Sequence, residues 1–273
     1  MVVAISRGSK VKSLPGYGDL PLTLETGYIG VGEKEEVQLF YYFVKSENNP
    51  KEDPVVLWIN GGPGCSSLGA FFFENGLNII FLDAPIGTGF SYSKTTQGYN
   101  TSDSKSAANT HEFIQKWFKE HPSFLENPLY LLVKAILEKH IPVVIQKILT
   151  SNEAGIKPII NVKAAYASCN GTFYPCANTE DCNALLSYIN EGAISTWLYC
   201  NDTLNSVYGR DIESVIAYHQ NFSKTNLRDT HRKFENGDFS LTYATVKGAG
   251  HFAAKFKPQC SAMIARWMAY ESL

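Results

Sequence analysis

Runs of apolar residues at two different spacings divide the chain. Val37 to Val44, Val55 to Ile59 and Ile79 to Leu82 are short, continuous, β-branched and aromatic stretches bounded by turn formers, the pattern of strands buried on both faces. Leu241 to Val246 predicts a further, weaker strand. Between them the spacing changes to that of helices. Ala107, Thr110, Ile114, Trp117 and Phe118 fall on one helical face after a capping Asp103 or Ser104, in a helix that ends before Pro122. Pro258 suits the first turn of a last helix carrying Ala262, Ala265 and Met268. Strands alternating with helices predict an α/β domain with a mainly parallel sheet covered on both faces.

One strand ends in unusual chemistry. Val55 to Ile59 runs into Asn60-Gly61-Gly62-Pro63-Gly64-Cys65-Ser66-Ser67, a loop bare of side chains at a strand's end. Such a loop exposes backbone N–H donors, and preorganised donors stabilise an oxyanion. A glycine turn that only reverses the chain has the same letters, so the loop alone does not decide.

The neighbouring segments do. The glycine loop resembles the oxyanion-hole loop of the plant-type serine carboxypeptidases. Leu14-Pro15-Gly16, Glu25 to Val31 and Gln38 to Phe43 match that family's amino-terminal hairpins. Asn78 to Asp83 with Gly87-Thr88-Gly89-Phe90-Ser91-Tyr92-Ser93 is similar to its second strand and following loop. Thr245 to His251 is similar to the segment that presents its catalytic histidine. The resemblance implies an α/β-hydrolase fold, internally deleted, forming a single domain over residues 1–273 with a reduced cap around 165–205. It also implies an ancestral activity, release of carboxyl-terminal residues from peptides or a related acyl transfer.

The family's chemistry is incomplete here. Where the family has its nucleophile, in a Gly-Asp-Ser-Tyr-Ser-Gly segment between strand and helix, this chain reads Val133-Lys134-Ala135-Ile136-Leu137-Glu138. Asn127 to Tyr130 and Ile141 to Val143 still match on either side, so Ala135 holds the serine position. The nucleophile elbow is a strained turn that needs small neighbours. Leu131 to Leu149, rich in helix formers, offers an alternative reading as one helix bent at Pro142. The stretch that should bring the triad aspartate is also cut out. Asp229 and Asp238 survive nearby, outside the expected context. His251 remains as a base with nothing to activate.

By resemblance, Asn60 and Gly61 hold a substrate carboxylate and Gly62 faces the oxyanion, while Lys134 stands where the family has an aspartate. Ser66, Ser67, Ser91 and Ser93 are the other serines near the glycine loops, and none has a strand-turn-helix setting. The chain shows no metal-ligand spacing among its six histidines and calls for no cofactor. With 24 basic and 26 acidic residues it has no basic run, which excludes a nucleic-acid partner, and no segment is long enough for a membrane span. Oligomeric state stays open.

Six cysteines and sequons at Asn100, Asn170, Asn201 and Asn221 suit an oxidising, glycosylating compartment. The resemblance pairs Cys65 with Cys200, leaves Cys169 with Cys176 or Cys182 as a remnant of the cap, and implies a secreted or vacuolar protein. Met1 to Arg7 is too short an apolar region for a signal peptide. Joins at Leu77-Asn78 and after Lys163 skip segments that the family has. Lost strands expose edges, an expectation that bears on stable folding. Three functional readings follow: a family member that has lost its chemistry, as a pseudoenzyme or the product of a decayed or misassembled gene; an active carboxypeptidase or acyltransferase using another serine; and a non-catalytic binder of peptide carboxyl ends.

Overall fold

The structure, a computed structural model, describes residues 8–14, 18–70, 77–134, 139–151, 164–167, 197–222, 234–236 and 239–241. Among the described residues its centre is one eight-stranded sheet. The strands are β1 (Ser9–Leu14), β2 (Gly18–Val31), β3 (Val37–Val44), β4 (Val55–Ile59), β5 (Asn78–Leu82), β6 (Tyr92–Ser93), β7 (Leu129–Lys134) and β8 (Ala164–Ala167), in the order β1-β2-β3-β5-β4-β7-β8 with β6 on β3. The first part is antiparallel, through β1-β2, β2-β3 and β3-β5. From β5 onward the sheet is parallel, β5-β4-β7-β8. A separate hairpin joins β9 (Phe234–Asn236) to β10 (Phe239–Leu241).

The near-continuous apolar runs follow from burial on both faces. Along β3, Val37, Leu39, Tyr41 and Phe43 enter one core cluster, while Phe40, Tyr42 and Val44 enter another. The same alternation divides Leu57 from Val56, Ile80 from Phe81 and Leu131 from Tyr130. On the first face lie α1 (Asp103–Glu120), through Phe113, Ile114 and Trp117, and α2 (His140–Thr150), through Ile141, Val144 and Ile148. On the second face, the described cover is Leu68, Phe90 and the partly buried Trp197. The expected last helix at Ala262, Ala265 and Met268, the strand beyond Leu241, and most of the cap lie outside the described residues.

Two local expectations are corrected. The cap of α1 is Ser102, one residue earlier than expected, whose Oγ accepts from Lys105 N at 3.4 Å. Ser104 N is free for a more distant acceptor, and donates to Asp211 Oδ1 at 3.0 Å. The single bent helix from Leu131 to Leu149 is also overturned, because Leu129–Lys134 is a strand between β4 and β8. A slot flanked by two parallel strands outweighs helix propensity, which amounts to only tenths of a kcal/mol per residue. Pro142 then falls in the first turn of α2, where its missing N–H breaks no bond.

Two short helices, α3 (Asp202–Val207) and α4 (Ile216–Phe222), follow the last described crossing of the sheet.

Candidate functional site

Parallel strands deliver their carboxyl ends to one edge of the sheet, where open α/β folds place their ligands. At that edge β4 passes into the glycine loop and β5 into Asp83-Ala84-Pro85. Strand β7 ends beside them. In the register of β4 and β7, Ile59 lies opposite Val133, so β4 passes into Asn60 level with Lys134, the last residue of β7, which still pairs with Ala167 of β8. Ala135, Ile136, His251, Asp229 and Asp238 lie outside the described residues, as do Asn170, Cys169, Cys176 and Cys182. The described part of this edge is the glycine loop and the segments that hold it.

Gly62 has φ +147°, and a Cβ there would stand 3.0 Å from Gly64 N and 3.1 Å from Cys65 N. Only glycine fits that turn. Asn60 is 2% exposed. Its Nδ2 donates to the Ser66 carbonyl at 2.6 Å, its Oδ1 accepts from Trp58 Nε1 at 3.1 Å, and its backbone N donates to Ser67 Oγ at 3.0 Å. The amide braces the loop from within. Gly61 is buried beside it.

A carboxylate that sequence reasoning left without a role anchors this loop. Asp83, fully buried at the end of β5, accepts from Ser66 Oγ at 2.7 Å, Ser67 N at 2.8 Å and Phe90 N at 3.1 Å. It thus ties the glycine loop to the Gly87–Ser91 loop, whose Ser91 Oγ donates to the Asp83 carbonyl at 2.5 Å. Burial pushes the Asp83 carboxyl up to about 6, against the bonds from Ser66, Phe90 and Ser67, which pull it down. Burial, and then the Asp83 charge, push the Tyr42 hydroxyl upward. The signal in the sequence was an acidic residue closing an otherwise apolar strand.

The other serines near the loop are structural. Ser66, Ser67 and Ser91 are buried. Ser67 Oγ donates to the Leu82 carbonyl at 2.6 Å, and Ser93 Oγ to the Glu36 carbonyl at 3.3 Å. The hydroxyls of Ser67, Ser91 and Ser93 face backbone carbonyls, which take up no proton. Ser66, which faces the Asp83 carboxyl, is fully buried and also accepts from Leu68 N at 3.2 Å, so none of the four presents an exposed, activated nucleophile.

A strap from Tyr199 to Ile212 crosses the site edge. Cys65 and Cys200 form the expected disulfide, flanked by Ser66 N to Tyr199 O at 2.7 Å and Asn201 N to Gly64 O at 2.9 Å. Asn201 caps α3 by accepting from Leu204 N at 3.0 Å, and its Nδ2 donates to the Gly87 carbonyl at 2.9 Å. Further along, Asp211 receives Ser102 Oγ at 2.9 Å and Ser104 N, closing the start of α1. Lys139 Nζ then reaches the Ile212 carbonyl at 2.6 Å. Among the described residues, no group of three or more His, Cys, Asp or Glu side chains is placed to hold a metal ion. No described helix is long and apolar enough to cross a membrane.

This sheet, with its glycine loop at the carboxyl edge, has the α/β-hydrolase fold. Comparison with solved structures agrees at the level of fold. A peroxisomal α/β-hydrolase from Saccharomyces cerevisiae aligns with a TM-score of 0.51 at 8% identity, over 97% of this chain and 90% of that one. An α/β hydrolase from Novosphingobium aromaticivorans aligns with a TM-score of 0.51 at 10% identity, over 90% and 98%. The family profile for serine carboxypeptidases matches residues 15–77 and 77–196, more than half of the chain, and the chain belongs to that family. Serine carboxypeptidase-like 10 of Arabidopsis thaliana is 47% identical over 180 residues, which is 56% of this chain and 41% of the relative. The matched part thus spans less than half the length of such relatives.

Proposed function

We propose that this chain is a serine carboxypeptidase-like protein that keeps the family's fold and donor loop without its hydrolytic chemistry. The observation that carries this is the sequence directly after β7, where Ala135 stands at the position the family resemblance gives to the nucleophilic serine. A methyl group there cannot attack a carbonyl. In one well-studied triad, loss of the serine alone removes roughly a millionfold in turnover, about as much as loss of all three members. His251 is then a remnant base.

An active-site-directed fluorophosphonate with mass-spectrometric site mapping tests the proposal. No serine should label to stoichiometry, Ser66, Ser67 and Ser91 included, since their hydroxyls are buried and bonded. Stoichiometric labelling of any serine would establish the active-enzyme reading instead.

The ligand that suits the remaining loop is the family's own, a peptide carboxyl end or a small acyl group at Asn60, Gly61 and Gly62. Asn60 already commits one amide hydrogen to Ser66 O and its oxygen to Trp58, so binding through it is weak. No cofactor, metal, nucleic acid or membrane enters this reading.

A secretory route, to the vacuole or the cell exterior, fits the Cys65–Cys200 disulfide together with the sequons. Asn100 and Asn221 are exposed, whereas both polar atoms of Asn201 are engaged in the strap. Enzymatic deglycosylation with peptide mapping should therefore find glycans at Asn100 and Asn221 and an unmodified Asn201. A glycan at Asn201, or none at all, would count against this assignment.

A further inference from the structure

Away from the glycine loop, His121 closes the carboxyl end of α1 in an arrangement that fixes its protonation. Its Nδ1 lies 2.9 Å from the Trp117 carbonyl oxygen and its Nε2 lies 2.8 Å from Glu25 Oε1 on β2. A carbonyl and a carboxylate are both acceptors. A neutral imidazole has one N–H and one lone pair, so one of these two contacts would set a lone pair against an oxygen. Only the imidazolium, with two N–H groups, makes both.

The surroundings support the cation. The ring stacks on Trp117 with centroids 4.1 Å apart and planes 10° from parallel, and it packs near Phe43. Both side chains of the pair are 14% exposed, which shields them from solvent screening. Glu25 Oε1 also accepts from Tyr41 Oη on β3 at 2.7 Å. The charged groups facing the pair are Lys10, opposite Glu25 on β1, and Glu120 on α1.

The position matters because of what lies beyond it. Among the described strands β1 pairs only with β2, and the pairing of β2 with β3 ends at Leu24 opposite Val44. Residues 18–22 of β2 and the β1 residues opposite them, Ser13 and Leu14, therefore lie beyond the last bond to the β3 side, Lys45 N to Thr23 O at 3.1 Å, with Leu14, Leu20 and Leu22 partly buried against the second core cluster. Glu25 sits where that extension begins.

We propose that His121 is a proton-operated latch: as imidazolium it fastens the outer end of the β1–β2 hairpin to the end of α1, and loss of its proton loosens that end. Burial opposes charge on both partners, yet the bonds to Glu25 and the Trp117 carbonyl outweigh it and raise His121 above its ordinary 6.5. On Glu25, burial is likewise outweighed by the bonds from His121 and Tyr41, which hold it below its ordinary 4.5. A raised histidine stabilises the fold fully below pH 6.5 and loses that contribution as pH rises through its folded value. A lowered glutamate stabilises above pH 4.5 and fails as pH falls through its own. The latch is closed in the window between and opens on the alkaline side.

Nitrogen-15 and carbon-13 NMR of His121 in the intact chain, with hydrogen exchange of the hairpin amides corrected for intrinsic rates, tests this. His121 should carry both protons at pH 6.5, and hairpin protection should fall roughly tenfold or more as it deprotonates, by loss of a charged hydrogen bond. In H121F, which keeps the stack without a donor, the hairpin should show the lower protection at every pH. A neutral tautomer at pH 6.5, or hairpin protection in the unaltered chain that ignores the His121 titration, overturns the proposal whether or not the variant folds.

Discussion

Replacing Asp83 by alanine is expected to lower folding stability by about 4 kcal/mol or more at pH 4, because it leaves buried donors of Ser66, Ser67 and Phe90 without their acceptor. That loss should depend on pH in a defined direction. A carboxyl whose folded value is about 6 against an ordinary 3.8 binds its proton more tightly in the folded state. Its stabilisation is present below pH 3.8 and is lost as pH rises through 6, a change of about 3 kcal/mol. The penalty of D83A therefore shrinks by about that amount between pH 4 and 7.

His140 works in the opposite sense. It is buried at the start of α2, with Nε2 3.0 Å from Thr110 Oγ1, and burial pushes it down to about 4. Its stabilisation is present above the ordinary 6.5 and is lost as pH falls through 4, again about 3 kcal/mol. Between pH 4 and 6 the two groups nearly cancel. Guanidinium unfolding across this range should show a nearly flat unaltered chain, a D83A chain that gains stability with rising pH, and an H140L chain that loses it. Slopes of the same sign in the two variants would sink the assignment.

Removing the Cys65–Cys200 disulfide should have a comparable effect by a different route. The bond closes a separation of 135 residues, and in the chain-entropy account a loop of that length stabilises by about 4 to 5 kcal/mol. A C65A/C200A double variant should lose roughly 10 °C or more in Tm. The loss has a local consequence as well. Asn201 N to Gly64 O and Ser66 N to Tyr199 O remain as the only described backbone bonds between strap and glycine loop. Limited proteolysis should then cut within Tyr199–Ile212 well before the sheet unfolds. Unchanged Tm and unchanged cleavage would show that the bond adds nothing to this edge.

Much of the fold was legible because local pattern and burial agree. The runs at Val37 to Val44, Val55 to Ile59 and Ile79 to Leu82 became β3, β4 and β5, since apolar residues on both faces suit only a covered sheet. The α1 face carrying Ala107, Thr110, Ile114, Trp117 and Phe118 is buried as its spacing required. The glycine loop was readable for the same reason: Gly62 and Gly64 have positive φ that other residues rarely adopt. The antiparallel share of the sheet was signalled only by the resemblance of Glu25 to Val31 and Gln38 to Phe43 to amino-terminal hairpins, not by the apolar pattern. Hairpin geometry in β1 to β3 depends on pairing between segments, and apolar content does not encode direction.

The sequence by itself determined the family, the two-faced strands, the α1 stripe and the glycine loop, because each is written in residue type and near-neighbour spacing. Only the tertiary structure decided that Leu129–Lys134 is a strand, that Ser102 rather than Asp103 caps α1, that Asp83 braces the glycine loop, and that His121 meets Glu25. Those outcomes depend on partners far away along the chain. Asp211 lies 107 residues from Ser104, and Glu25 lies 96 from His121. Burial at such meeting points sets both hydrogen bonding and charge, and neither can be summed from one segment alone.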